Sequence, residues 1–282
     1  MEQAALVLEG GGMRGLYTVG VTDCMLAHGI LLRDVYGVSA GACQGCNYLS
    51  GQIGRGERVW TNYLNDRNYC SLYSLLHTGD LFGARMCYDL IPNRLDPYDY
   101  EAYRRNVNRF TIVVTNCLTG RAEYFCPADL RDGGMPLVRA SSSLPLVSSM
   151  VNVGGVPCLD GGVTDPIPLR RSIGDGHGKN VVILTREAGY RKEPDRAMRL
   201  YELKYRRYPA LVEALRIRHE RYNAALDLIE AEQQAGRAFV LRPETKPEVN
   251  RIEKNAARLR ALRNEGYRQA EKLIDRLKEF LK

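Results

Sequence analysis

The sequence predicts an α/β fold: a three-layer α/β/α sandwich with a mostly parallel central sheet, followed by a helical C-terminal segment. Three observations predict it. Short apolar, β-branched runs alternate with stretches of helical spacing through the first two thirds of the chain, the pattern of strand–helix–strand units on a parallel sheet. Two glycine-bracketed turns, Gly10 to Gly15 and Gly37 to Gly41, each follow an apolar run and open a helical stretch. From about Ala197 onward the apolar residues recur mainly at helical spacing.

Each element has its own reason. Ala4-Ala5-Leu6-Val7-Leu8 reads as the first strand. Leu16 to His28 has helical spacing and stops at Gly29, a residue suited to a C-cap. Val35 to Val38 is the second strand, and a helix follows from about Ala40 to Leu49. Leu75 to Pro97 reads as irregular and is long enough to supply a lid. The run Phe110-Thr111-Ile112-Val113-Val114-Thr115 is the clearest strand, because β-branched side chains suit a pleated, buried surface. Glu123-Tyr124-Phe125 is a further strand, and Gly154-Gly155 joins Val151–Val153 to Val156–Leu159 as in a hairpin. Val181 to Thr185 is another buried strand.

Met198, Tyr201, Tyr205 and Tyr208 then mark one helical stripe. Val212, Leu215, His219, Tyr222, Leu226 and Ile229 mark another, after Pro209, which suits a first helical turn. Gly236 ends that helix, and Ala238 to Leu241 is an edge strand before the loop from Pro243 to Pro247. A last helix is expected from about Val249 to Leu281, weakened locally by Gly266. No linker is visible, so residues 1–282 are expected to form a single domain. Its core would span about 4–185, with a helical extension over about 197–282.

Composition narrows the function classes. With 45% hydrophobic and 26% charged residues, the chain is neither disordered nor fibrous. No run of about 18 apolar residues exists, so no spanning helix is expected. Met1-Glu2-Gln3 is acidic and polar and the apolar run after it is short, unlike a secretory leader. A cytoplasmic location is the expectation, with peripheral contact at membranes left open. Eight cysteines then read as reduced thiols, most of them buried. Cys43-Gln44-Gly45-Cys46 carries a redox or metal alternative, since a helix N-terminus lowers a thiol pKa. No other cysteine or histidine pair has zinc spacing.

The net charge is +7. Many of the cations fall late in the chain: Arg216, Arg218, Arg221, Arg258, Arg260, Arg263, Arg268, Lys272, Arg276 and Lys278. They alternate with acids, as on a solvated helix face. An anionic membrane surface remains a candidate partner; nucleic acid is not expected.

The chemistry gathers at the turns. Gly37-Val38-Ser39-Ala40-Gly41 has the G-x-S-x-G form of a nucleophile elbow, in which a strained strand-to-helix turn exposes the serine. A structural serine in a tight turn is the alternative. Gly10-Gly11-Gly12-Met13-Arg14-Gly15 offers backbone N–H groups at a helix N-terminus, where developing negative charge is stabilised. It also fits a dinucleotide fingerprint, although Asp34 precedes the second strand instead of ending it.

A serine nucleophile needs a base. Of His28, His77, His177 and His219, only His177, in the loop Gly174 to Gly178, is a base candidate. His28 sits at a helix end, and His219 falls on the core stripe. A carboxylate is the other option. Asp160-Gly161-Gly162 follows Val156 to Leu159, which sets Asp160 at a strand end opening a glycine turn. Free aspartate is a weak base, so burial would have to raise its pKa. An Asp-Gly turn held by local hydrogen bonds is the bland alternative.

Taken in order, Gly10 to Gly15, Gly37 to Gly41 and Asp160 to Gly162 resemble the three signatures of patatin-like phospholipases. Ala140-Ser141-Ser142-Ser143-Leu144-Pro145 looks like the family's Ala-Ser segment. The resemblance covers about residues 4–185 and implies a Ser-Asp dyad in place of a triad. Ser39 would be the nucleophile, Asp160 the base, and Gly11 and Gly12 the oxyanion donors. Gly10, Arg14, Gly15, Gly37, Gly41, Gly161 and Gly162 would support the motifs. No metal or cofactor is implied, and the implied substrate is a lipid or phospholipid acyl ester. Two other readings stay open: a nucleotide- or phosphate-binding protein using the first loop, and a catalytically silent relative acting at membrane surfaces.

Overall fold

Alternation of side chains across β1 (Ala5–Leu8) sets the layers. Leu6 and Leu8 join one buried cluster, while Ala5 and Val7 join another on the opposite face. The computed structural model describes residues 4–282, so Met1-Glu2-Gln3 lie outside the described residues.

After β1 the chain forms α1 (Leu16–Ala27), β2 (Asp34–Val38), α2 (Ala40–Leu49), α3 (Arg55–Thr61), α4 (Leu72–Thr78), α5 (Tyr100–Asn106), β3 (Arg109–Asn116) and β4 (Arg121–Phe125). It continues through α6 (Met135–Ser141), β5 (Val151–Val153), β6 (Val156–Asp160), α7 (Leu169–Gly174), β7 (Asn180–Ile183), α8 (Met198–Lys204) and α9 (Pro209–Arg216). The last elements are α10 (Arg218–Gln234), β8 (Ala238–Leu241) and α11 (Ala256–Phe280).

The sheet order is β5-β6-β3-β2-β1-β7-β8, with β4 also paired to β3. β1, β2, β3, β7 and β8 are mutually parallel. β4, β5 and β6 pair antiparallel. Side chains of α1, α2 and α11 fill the cluster on one face, and those of α7 and α10 fill the other. The expected three-layer α/β/α sandwich with a mostly parallel sheet is what forms.

One detail of register positions the site. β4 covers one edge of β3 from Ile112 to Asn116. β2 and β6 must therefore share the other edge. β2 ends there with Val38 opposite Val113, and β6 ends with Asp160 opposite Val114. Two strands running in opposite directions thus meet end to end at consecutive rows of β3, which brings Ser39 to Asp160.

Several expectations are corrected. The last helix begins at Ala256, not near Val249, because the Asn255 side chain caps it by accepting from the Ala257 and Arg258 N–H groups. Gly266 is a packing device. A Cβ there would lie 2.2 Å from the Tyr17 carbonyl oxygen, and one on Gly20 would lie 1.9 Å from that of Arg263. The two glycines let α1 and α11 cross in close contact. The helix expected to run through Tyr222 from Pro209 is two helices, α9 and α10, separated at Ile217.

Residues 75–97 are only partly irregular. α4 ends among them, and Met86–Leu95 form a wide helical turn containing Pro92. His219 is half-exposed instead of in the core, with Nδ1 hydrogen-bonded to the Arg216 carbonyl. Most of the late cations do lie on solvated helix faces, with Arg216, Arg258, Arg260, Arg268, Lys272, Arg276 and Lys278 exposed, while Arg218 and Arg263 turn inward. Arg263 reaches the buried Asp23 at 2.8 Å, Arg260 pairs with Glu57, and Arg216 pairs with Glu202 and Glu213. Among the described residues, no helix is long and apolar enough to cross a membrane.

Candidate active site

Ser39 stands between β2 and α2 with φ 56° and ψ −123°, a backbone conformation that non-glycine residues rarely adopt. Its neighbours hold it there. Its N–H donates to Ser141 Oγ at 2.9 Å, and a Cβ on Gly41 would lie 2.3 Å from the Leu8 carbonyl oxygen. Only glycine at position 41 lets α2 start this close to the end of β1. Gly37 serves the same turn, facing the backbone of Gly41 and Ala42.

Ser39 Oγ donates to Asp160 Oδ2 at 2.6 Å, and both residues are buried. The other carboxylate oxygen accepts from the Gly162 N–H at 2.7 Å. The Asp160 backbone is also fixed: its N–H donates to the Ser143 carbonyl, and its carbonyl accepts from Thr115 Oγ1. Gly161 packs against the Val113 carbonyl, where a Cβ would sit at 2.2 Å. Burial pushes the Asp160 carboxyl above its ordinary value. Arg218, the hydrogen bonds from Ser39 and Gly162, and Arg251 pull it back down.

The first glycine loop lies against the serine: a Cβ on Gly10 would be 3.1 Å from Ser39 Cβ. Gly10 N–H donates to the Pro166 carbonyl and Met13 N–H to that of Arg251. The N–H groups of Gly11 and Gly12, between them, have no acceptor among the described residues. Gly12, at φ 58°, opens a short 3₁₀ turn through Arg14 to Gly15, and Gly15 packs beside Trp60 and Ala40.

Of the histidines, His177 lies edge-on to Tyr36 at 5.7 Å, His28 pairs with Glu271 at 2.8 Å, and His77 stacks on Tyr73 at 4.0 Å. Cys43 and Cys46 are free thiols on the wall of an apolar cavity. Burial pushes both thiols up, the opposite of an activated redox pair.

Ser39 opens onto two cavities. The apolar one runs between Met13, Trp60, Tyr69, Phe82, Ile91 and Val138. The polar one contains Asp160, Arg14, Arg186, Lys192, Arg218 and Arg251. The last four were not singled out from the sequence for this site. They come from three separate segments of the chain, and no spacing rule joins them.

The family model for patatin-like phospholipases matches residues 6–172, more than half of the chain. The chain belongs to the patatin-like phospholipase family. At the level of the family this means lipid acyl hydrolysis, and the central sheet with its flanking helices is a patatin-like fold. A second model, for a domain of unknown function (DUF6363), matches residues 208–282. YjjU of Escherichia coli is 29% identical over 185 residues, covering 64% of this chain and 51% of that protein. An NTE family protein of Mycobacterium bovis is 26% identical over 168 residues, covering 59% and 44%. The chain thus spans about half the length of the curated relatives it matches. VipD from Legionella pneumophila superposes with a TM-score of 0.52 at 15% identity, covering 98% of this patatin-like chain and 67% of its own.

Proposed function

We propose that this chain is a serine acyl hydrolase that cleaves lipid acyl esters through a Ser39–Asp160 dyad. The observation that carries the reading is the 2.6 Å hydrogen bond from Ser39 Oγ to a buried carboxylate at a strained elbow. Asp160 accepts the Ser39 proton as Oγ attacks the ester carbonyl carbon. The oxyanion that forms is held by the Gly11 and Gly12 N–H groups; losing one such donor typically costs about 10²–10³-fold in rate. The tetrahedral intermediate collapses, and the proton on Asp160 passes to the departing alcohol. A water then gives a proton to Asp160 and attacks the acyl-enzyme. The fatty acid leaves, and the proton returns to Ser39. The acyl chain lies in the apolar cavity.

The proposal treats residues 1–282 as one unit, acting in the cytoplasm or at a membrane face. A nucleotide reading of the first loop has less support, because Gly10 packs directly on Ser39. A silent membrane-binding relative has less support too, because Ser39 Oγ already donates to the buried Asp160 carboxylate.

The test is a fluorophosphonate probe followed by intact mass and peptide mapping. One adduct on Ser39, absent in Ser39→Ala, is the expected result. A folded wild-type sample that does not label overturns the reading.

A further inference from the structure

The polar cavity beside Ser39 holds more positive charge than the dyad requires. Five cations converge on it from distant parts of the chain. Arg14 comes from the first loop, Arg186 and Lys192 from the segment after β7, Arg218 from the start of α10, and Arg251 from the loop before α11. Among the described residues, none of the five has a carboxylate within ion-pair distance, although many other arginines of the chain do. Arg14 is only 8% exposed and its Nε has no partner; the Arg186 Nε is likewise buried and unpartnered.

Two carboxylates, Glu9 and Asp160, line the cavity against the five cations, and each is also held by neutral donors. Glu9 accepts from Tyr222 OH at 2.6 Å and from the Thr185 N–H, and Asp160 is held by Ser39 and Gly162. The cations strain one another: Lys192 is pushed down to about 7 by burial, Arg218, Arg251 and Arg14, in that order. Five cations against two lining carboxylates leave net positive charge in a half-buried cavity, which is costly, and an anion entering it would relieve that cost.

We infer that this cavity is the subsite for the phosphate of an acyl glycerophosphate whose ester carbonyl lies at Ser39. Arg218 and Arg251 give the C-terminal segment a part in substrate recognition. The inference rests on the reading of Ser39 as nucleophile. Ser39, Gly12 and Leu144 line both cavities, so a ligand filling both carries its carbonyl and its phosphate only a few bonds apart. A glycerophosphate ester has that spacing. A thioester at the end of a long carrier arm does not. The charge favours a phosphomonoester over a choline head group. The two rings that could box a quaternary ammonium are taken, with Arg186 over Tyr190 at 4.4 Å and Lys192 over Tyr222 at 5.7 Å.

Calorimetry on Ser39→Ala tests the subsite without turnover. The probes are 1-octanoyl-glycerol 3-phosphate, 1-octanoylglycerol, 1-octanoyl-glycerophosphocholine, glycerol 3-phosphate and inorganic phosphate. The phosphomonoester lipid should bind about 10- to 100-fold tighter than the neutral lipid, the range of one or more charge-assisted hydrogen bonds. It should also bind tighter than the choline lipid and than either soluble phosphate. Adding Arg186→Gln and Lys192→Gln should cut the preference for phosphomonoester over neutral lipid at least tenfold. Equal affinity for the first two lipids overturns the proposal, as does a preference that survives the double substitution. Inorganic phosphate binding as tightly as the phosphomonoester lipid overturns it in favour of a free-anion site. Failure of fluorophosphonate labelling in the wild type would remove the hydrolase reading alone, since this preference is measured without the nucleophile.

Discussion

Asp160→Asn separates chemistry from architecture. In the fold, Asp160 Oδ1 accepts from the Gly162 N–H and Oδ2 accepts from Ser39 Oγ. An asparagine keeps its amide oxygen on Gly162 and turns its NH₂ toward Ser39 Oγ. The shape survives, but the group can no longer take the serine proton. General-base assistance contributes about 10²–10⁴-fold, or about 3–5 kcal/mol of barrier.

Stability behaves differently. The charge-assisted bond from Ser39 is lost, at about 1.5–3 kcal/mol, while relief of the buried charge returns a similar amount. The sign follows from linkage. Burial raises the Asp160 pKa in the fold, so its contribution to stability is full below the unfolded value and fades as pH rises through the folded value. Asparagine copies the protonated form, so at pH 8 the net change should lie within about 1 kcal/mol, or about 2–4 °C in Tm. The assays are p-nitrophenyl octanoate hydrolysis and a thermal melt, run on the same preparations. Retention of more than about a tenth of wild-type kcat/KM, with an unchanged melt, would refute Asp160 as the base.

Further outcomes follow from the same geometry. Wild-type kcat/KM should fall on the acid side with an apparent pKa above the ordinary aspartate value of about 3.9; a profile flat down to that value would count against a buried carboxylate base. If the apolar cavity takes the acyl chain, kcat/KM for p-nitrophenyl esters should rise about threefold or fourfold per methylene from butyrate to octanoate, given about 0.8 kcal/mol per buried CH₂; an unchanged rate across that range would exclude it. Gly266→Ala should lower stability by about 1–2 kcal/mol, because overpacking against the Tyr17 carbonyl outweighs the roughly 1 kcal/mol gain in helix propensity; a raised Tm in a thermal melt would contradict the close crossing. Iodoacetamide at pH 8 should label the exposed Cys126 before Cys43 or Cys46, whose thiols burial pushes up; fast labelling of the pair by peptide mass mapping would revive the redox reading.

The candidate dyad was legible because glycine marks a turn wherever backbones must touch. Gly41 against Leu8 and Gly161 against Val113 are local demands, written in adjacent residues. The strands were legible for a related reason, since β-branched runs such as Phe110 to Thr115 state their burial directly. The start of α11 was misplaced because Val249, although buried, sits in a loop; apolar spacing alone does not separate a buried loop residue from a helical one. Gly266 was misjudged because a glycine in a helix reads as weakness until the crossing partner, Gly20 in α1, is in view. The cation cluster was invisible for a stronger reason. Arg218 resembled its solvated neighbours in sequence, and its inward turn to the Gly162 carbonyl depends on tertiary contacts alone.

The meeting of β2 and β6 on one edge of β3 acts as a ruler for the candidate dyad. Val113 and Val114 are neighbours in a single strand, so the gap between serine and carboxylate is graduated by one residue of backbone rise. The ladder sets where the two backbones meet, and Ser141 and Gly41 hold the Ser39 elbow within that frame. Melting of that ladder should therefore abolish the proposed activity. An inactivation curve should then lie no higher in temperature than the loss of the sheet.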